Sequence, residues 1–131
     1  MDETGTAPNR IRTYQDLLIW KKAIALVTKI YKLTAGFPKS EMIGLTAQLR
    51  RASVSIPSNI AEGYGRKSRQ DFSRFCQISM GSLFEVQTQL TIAKNPGFID
   101  GDVCNSILDD SHEIERMLSS FISSLKKPVP A

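Results

Sequence analysis

The stretch Arg50–Arg74, RRASVSIPSNIAEGYGRKSRQDFSR, decides how the chain reads. It holds six of the seventeen basic residues, a proline within a helical pattern, a Gly-Tyr-Gly break and a helix start. Leu45, Leu49, Ala52, Ile56 and Ile60 recur at helical spacing, so a second helix is predicted from a cap at Ser40 to a stop at Gly63-Tyr64-Gly65. Pro57 removes one backbone donor and crowds the carbonyl of Ser53. The apolar register continues across it, which favours a kinked helix over a break into two. Past the glycines, Ser68 with Asp71 three residues on is a capping pattern that opens helix 3.

Working outward, Phe72, Phe75, Ser79, Leu83, Val86, Leu90 and Ala93 continue helix 3 as one apolar stripe. Ser79, Gly81 and Ser82 are small and would let a neighbouring helix approach. Asn95-Pro96-Gly97 is a stop. Asp100 or Asp102 caps helix 4, with a face of Val103, Ile107, Ile114, Leu118, Phe121 and Leu125. Upstream, Thr13 with Asp16 resembles a capping box. Leu17, Trp20, Ile24, Val27 and Tyr31 then form one helical face, so helix 1 spans about 14–35. Gly36 suits its C-terminal end, and Pro38 blocks continuation. No segment alternates with the period of a strand. The fold class is all-α, an antiparallel up-down-up-down four-helix bundle over 13–127. A flexible arm (1–12) and a short tail (128–131) flank it.

The 131 residues are 41% apolar and 23% charged, enough for one domain with its own core. No run reaches the roughly 18–20 apolar residues of a membrane span. MDETGTAPNR has no apolar h-region, so no signal peptide is expected. Cys76 and Cys104 fall inside helical patterns and read as small buried hydrophobes, which places the protein in a reducing cytoplasm. Residues 1–99 carry fourteen Lys/Arg against seven Asp/Glu, whereas 100–131 carry three against six. A basic body beside an acidic last segment fits an anionic partner such as nucleic acid, or self-association of unlike faces. A solvated surface with no partner remains the plainest account.

Four constellations bear on function. Arg51, Ser55, Asn59 and Glu62 share one edge of helix 2, and Ser82, Glu85 and Gln89 hold a similar position on helix 3. The simplest role is a structural polar network, with Arg50 or Arg51 paired to Glu62 or Glu85. A hydrolase built on Glu62 or Glu85 would need a nucleophile or metal that the sequence does not supply. Arg66, Lys67, Arg69 and Arg74, with Arg50 and Arg51 upstream, form a basic cluster suited to phosphates, and Tyr64 could stack on a base. Lys21, Lys22, Lys29 and Lys32 on helix 1 are a competing basic surface. Gly63-Tyr-Gly-Arg-Lys-Ser68 lacks the spacing and the preceding strand of a phosphate loop, which argues against nucleotide binding there. A lone His112 makes a metal site improbable, and no cofactor is expected.

SIPSNIAEGYGRKS, FSRF and MGSLFEVQTQL together resemble the bacterial four-helix-bundle family encoded in intervening sequences of large-subunit ribosomal RNA genes. YQDLLIWKKA is similar to its first helix and EIERMLSSFISSLK to its last, so the resemblance covers roughly 14–127. It extends to the accessory proteins of diversity-generating retroelements, which act with nucleic acid and a reverse transcriptase. The resemblance implies a left-handed antiparallel bundle, a ring-like homo-oligomer (a pentamer) and no enzymatic activity. It also implies RNA or DNA, or a partner protein such as a reverse transcriptase, as the ligand. Ser55, Asn59, Glu62 and Gly63 match the family's helix 2 signature, and Gly81, Ser82 and Glu85 its helix 3 signature. The Asn95-Pro96-Gly97-Phe98 connection looks more rigid than the family's. The leading expectation is a bundle that binds nucleic acid backbones through Arg66, Lys67, Arg69 and Arg74, with Arg50 and Arg51 as further contacts. A protein–protein scaffold is the alternative.

Overall fold

The structure, a computed structural model, describes residues 10–128. Residues 1–9 of the expected arm (1–12) and 129–131 of the expected tail (128–131) lie outside the described residues. Among the described residues there are four α-helices: α1 (Leu18–Thr34), α2 (Leu45–Tyr64), α3 (Arg69–Lys94) and α4 (Gly101–Lys126). Two 3-10 turns, Tyr14–Asp16 and Lys39–Glu41, precede α1 and α2, and no strand is present among these residues. No described helix is long and apolar enough to cross a membrane.

Side-chain contacts fix the direction of every neighbouring pair. Tyr14 meets Tyr64 while Arg50 reaches Thr34, so α1 and α2 run antiparallel. Ser82 bonds Ser55 and Ser79 bonds Ile56, which sets α2 against α3 the same way. Gln87 bonds Ser111 while the Cys104 thiol donates to the Leu90 carbonyl, reversing α4 against α3. Lys22 pairs with Glu113 and Lys29 with Asp110, which closes α4 onto α1. The chain therefore folds as an antiparallel four-helix bundle. Its centre is filled by Leu26, Ile30, Leu49, Ile56, Ile60, Leu83, Val86, Leu90, Ile114 and Leu118. Cys76 and Cys104 are buried there as free thiols, and burial pushes the Cys76 thiol up to about 12.

The ends of the helices follow their local chemistry, with two corrections. The capping box at Thr13 is present, but it closes a 3-10 turn, and α1 itself starts after Leu17 returns to extended backbone. Ser40 does not cap α2, because it sits in the second 3-10 turn; Gly44 holds the cap position. Ser68 accepts from the Asp71 N–H at 3.0 Å, and Asp100 accepts from the N–H groups of Asp102 and Val103. α2 runs unbroken through Pro57. At the α3–α4 corner Gly97 takes a φ of 88°. Phe98 N–H bonds the Ala93 carbonyl and Gly97 N–H that of Lys94, a Schellman closure that needs a glycine at the left-handed position. Phe98 then packs on Phe37 at 5.9 Å between ring centres.

The expected core face of α1 is corrected by one residue of rotation. Ile19, Ala23, Leu26, Ile30 and Thr34 face the core, while Ile24 and Tyr31 are exposed and Trp20 and Val27 only half-buried. α1 carries two apolar stripes about 100° apart, and the one with larger side chains is the outer one. Val103 on α4 is likewise exposed, and its neighbour Cys104 is buried instead. Gly81 faces outward with nothing near its absent Cβ, so the small residues that seat α2 are Ser79 and Ser82.

The α3–α4 seam holds a polar knot. The Gln87 amide donates to Ser111 Oγ and Glu115 Oε1, and His112 Nδ1 lies 3.2 Å from the same carboxylate. First Gln87 and then His112 hold the Glu115 carboxyl below its ordinary value. The folded state therefore binds that proton less readily than the unfolded chain. The stability it adds is present above the ordinary Glu range and is lost as pH falls through the lowered folded value. Between about pH 6 and pH 3, the thermal midpoint of the wild type is expected to fall further than that of Glu115→Gln. Equal falls in the two proteins would show that this contact carries none of the acid sensitivity.

Candidate nucleic-acid interface

The antiparallel order brings the end of α2, both ends of the α2–α3 turn, the end of α4 and the segment before α1 to one end of the bundle. An aromatic chain packs that end. Trp20 meets Tyr14, Tyr14 meets Tyr64, Tyr64 meets Phe72 and Phe72 meets Phe121, with ring centres 5.1–6.5 Å apart. Each contact is edge-on or close to it. Tyr64 is half-buried between two rings, so it does not present a free face for a base.

Around this plug stand Arg66, Lys67, Arg69 and Arg74. Arg66 and Arg74 place their guanidinium carbons 4.8 and 5.1 Å from the centre of the Phe75 ring. Arg66 also pairs with Glu62 at 2.8 Å and Arg74 with Asp71 at 3.3 Å. All four of these side chains are substantially exposed, so the pairs are weak and leave guanidinium N–H groups free for other acceptors. Lys67 is exposed and makes no ion pair with a described residue. Lys126, which the sequence left within an acidic segment, joins this cluster by lining a groove with Arg74. Two lysines at the end of α4 also favour its dipole.

Three expected contacts have other duties or other places. Arg69 donates to the Ser124 carbonyl at 2.6 Å, which caps the last turn of α4. Arg50 stacks on Tyr31, donates to Thr34 Oγ1 at 2.8 Å and reaches the Tyr31 carbonyl, which caps the last turn of α1. Arg50 and Arg51 lie roughly 18–20 Å along α2 from Gly63, away from the basic end. Arg51 is exposed on the edge facing α3.

The polar edge of α2 and α3 is a structural network of smaller extent than expected. Asn59 donates to Ser55 O and Oγ, and Ser82 donates to Ser55 Oγ at 2.8 Å. Glu62 pairs with Arg66 rather than with Arg50 or Arg51, and Glu85 is exposed without an ion pair among the described residues. On helix 1, Lys22 and Lys29 are paired to α4 within the chain, which leaves Lys21 and Lys32 of the competing surface. Two of the five carboxylates of α4, Asp110 and Glu113, are thus matched by lysines of α1.

Residues 15–120 match the family model of the 23S rRNA-intervening sequence protein. The chain belongs to that family. A crystal structure of a protein of unknown function from the S23 ribosomal protein family of Bacteroides thetaiotaomicron VPI-5482 superposes with a TM-score of 0.76. It is 25% identical and covers 81% of this chain and 96% of its own. Comparison with curated proteins gave no match. In this chain α2 ends at Tyr64, within the expected Gly63-Tyr64-Gly65 stop, and the signature glycine Gly63 is itself helical. It lies in the last turn of α2, where a Cβ would come within 2.7 Å of Phe72 Cδ1 and 2.9 Å of Phe75 Cβ. The signature therefore sets how closely α2 and α3 approach beneath the basic end.

Proposed function

We propose that this protein is a non-enzymatic, homo-oligomeric cytoplasmic bundle that binds RNA or DNA backbones through its basic end. The observation that supports this is that Arg74 of α3 and Lys126 of α4 line one groove, while Arg66 shares the Phe75 ring with Arg74 and the exposed Lys67 follows Arg66 in the turn. Cations from two distant segments converge there although the start of α3 disfavours them, by a few tenths to about 1 kcal/mol each. Contact with phosphates gives weak sequence preference and steep salt dependence. Assembly is supported by the outer stripe of α1. Trp20, Ile24 and Val27, with Val54 and Pro57 of α2, line a shallow apolar groove flanked by Tyr14. A second copy of the chain, in the ring that the family resemblance implies, would cover it.

The same features suit a second reading, a scaffold whose basic end meets an acidic partner protein such as a reverse transcriptase. Size-exclusion chromatography with light scattering, with and without a mixed RNA pool at low and physiological salt, separates the two. A ring-sized oligomer that takes up RNA and releases it as salt rises is the expected result. A ring that ignores RNA at both salts would leave only the scaffold.

A further inference from the structure

Between the start of α3 and the end of α4 lies a groove of about 580 Å³. One wall is a single face of α3, where Gln70, Ser73, Arg74 and Gln77 recur at helical spacing. The other is Leu125 and Lys126 of α4. The bond from Arg69 to the Ser124 carbonyl ties the two walls together and so fixes their separation. The groove differs from the apolar one between α1 and α4, which is walled by Leu17, Leu18, Met117 and Phe121.

Its polar groups are more than phosphate binding needs. Gln77 donates one amide N–H to Ser73 Oγ at 3.2 Å, which leaves its carbonyl and second N–H. Ser73 is only 4% exposed, and its hydroxyl donates to no acceptor among the described residues. The Gln70 amide is exposed, and Asp71 keeps one carboxylate oxygen beyond the one that Arg74 holds. Donors and acceptors thus stand beside an apolar surface, Leu125, with cations at the rim. A carboxylate repels phosphate but accepts from the exocyclic and ring N–H groups of a base. In a duplex those groups are paired, and contacts to the backbone would leave the amides idle.

We propose that this groove takes one unpaired nucleotide of a single strand, an inference that rests on the nucleic-acid reading above. Arg74 and Lys126 hold its flanking phosphates. Gln70, Asp71 and Gln77 bond the base edge, and Leu125 covers the base. Binding is therefore strand-selective as well as salt-dependent.

The test uses the full chain and fluorescence anisotropy, with a labelled single-stranded RNA of mixed sequence and a blunt-ended two-strand duplex of the same composition. The wild type is expected to bind the single strand about tenfold tighter, the discrimination of one good base-edge contact. Gln70→Ala/Gln77→Ala, at exposed positions, should bring the single strand down to the duplex level with duplex affinity unchanged. Leu125→Trp, which fills the groove without removing charge, should do the same. Equal wild-type affinity for the two probes, or a strand preference that survives both variants, would overturn the groove while leaving phosphate binding intact. No binding of either probe at low salt would remove the nucleic-acid reading and the groove with it.

Discussion

Gly63→Ala is expected to lower the unfolding free energy by about 2–3 kcal/mol, measured by urea denaturation. Helix propensity alone argues the other way, since alanine is favoured over glycine within a helix by about 1 kcal/mol. The tertiary contact wins because of where the methyl would go. It would lie 2.7 Å from Phe72 Cδ1, 2.9 Å from Phe75 Cβ and 3.2 Å from the Phe72 carbonyl oxygen. The Phe72 ring is packed edge-on by Tyr64 and Phe121, and the other two contacts, Phe75 Cβ and the Phe72 carbonyl, move only with the α3 backbone. The start of α3 must therefore move off α2, which strains the tie from Arg69 to α4. Gly81→Ala is the matched control. It sits in the interior of α3, exposed, with nothing near its Cβ. It should stabilise by roughly 0.5–1 kcal/mol. Equal stability of Gly63→Ala and the wild type would show that the two helices can separate there without loss.

The second large effect falls on binding. Arg66→Ala/Lys67→Ala/Lys126→Ala is expected to weaken RNA binding at physiological salt by one to two orders of magnitude. It should also reduce the slope of log affinity against log salt by about two to three. The three side chains are exposed, and only Arg66 makes an ion pair with a described residue, so the fold should survive. Arg69 is left in place because its guanidinium caps α4, and removing it would mix instability with lost affinity. Arg50→Ala supplies the contrast. Its bonds to Thr34 and Tyr31 predict a lower thermal midpoint with an unchanged salt slope. An unchanged affinity in the triple variant would move the contact surface elsewhere, first to Lys21 and Lys32. A reduced slope in Arg50→Ala would return α2 to the interface.

Much of the architecture is legible in local chemistry. Ser68 with Asp71, Asp100 before Gly101 and the Asn95-Pro96-Gly97 stop each act within a few residues, so the chain alone carries them. The face of α2 is read correctly because it has one apolar stripe. α1 has two, and nothing local ranks Ile19-Ala23-Leu26-Ile30 above Trp20-Ile24-Val27-Tyr31. The candidate site divides the same way. Arg66, Lys67, Arg69 and Arg74 are visible as a run because they are close in sequence. That Lys126 joins them, and that Arg50 and Arg69 cap neighbouring helices, depends on residues 16 to 55 positions away.

The sequence by itself determined four helices, their stops, the caps of α3 and α4, the family and a basic turn between α2 and α3. These rest on periodicity and on side-chain-to-backbone bonds of short range, which need no partner helix. Only the tertiary structure decided which stripe of α1 enters the core, and that Gly63 is a point of close approach. It also decided which cations serve carbonyls and which face solvent. Those outcomes depend on which helix end lies beside which, and that is set by packing four amphipathic helices around one core rather than by any single segment.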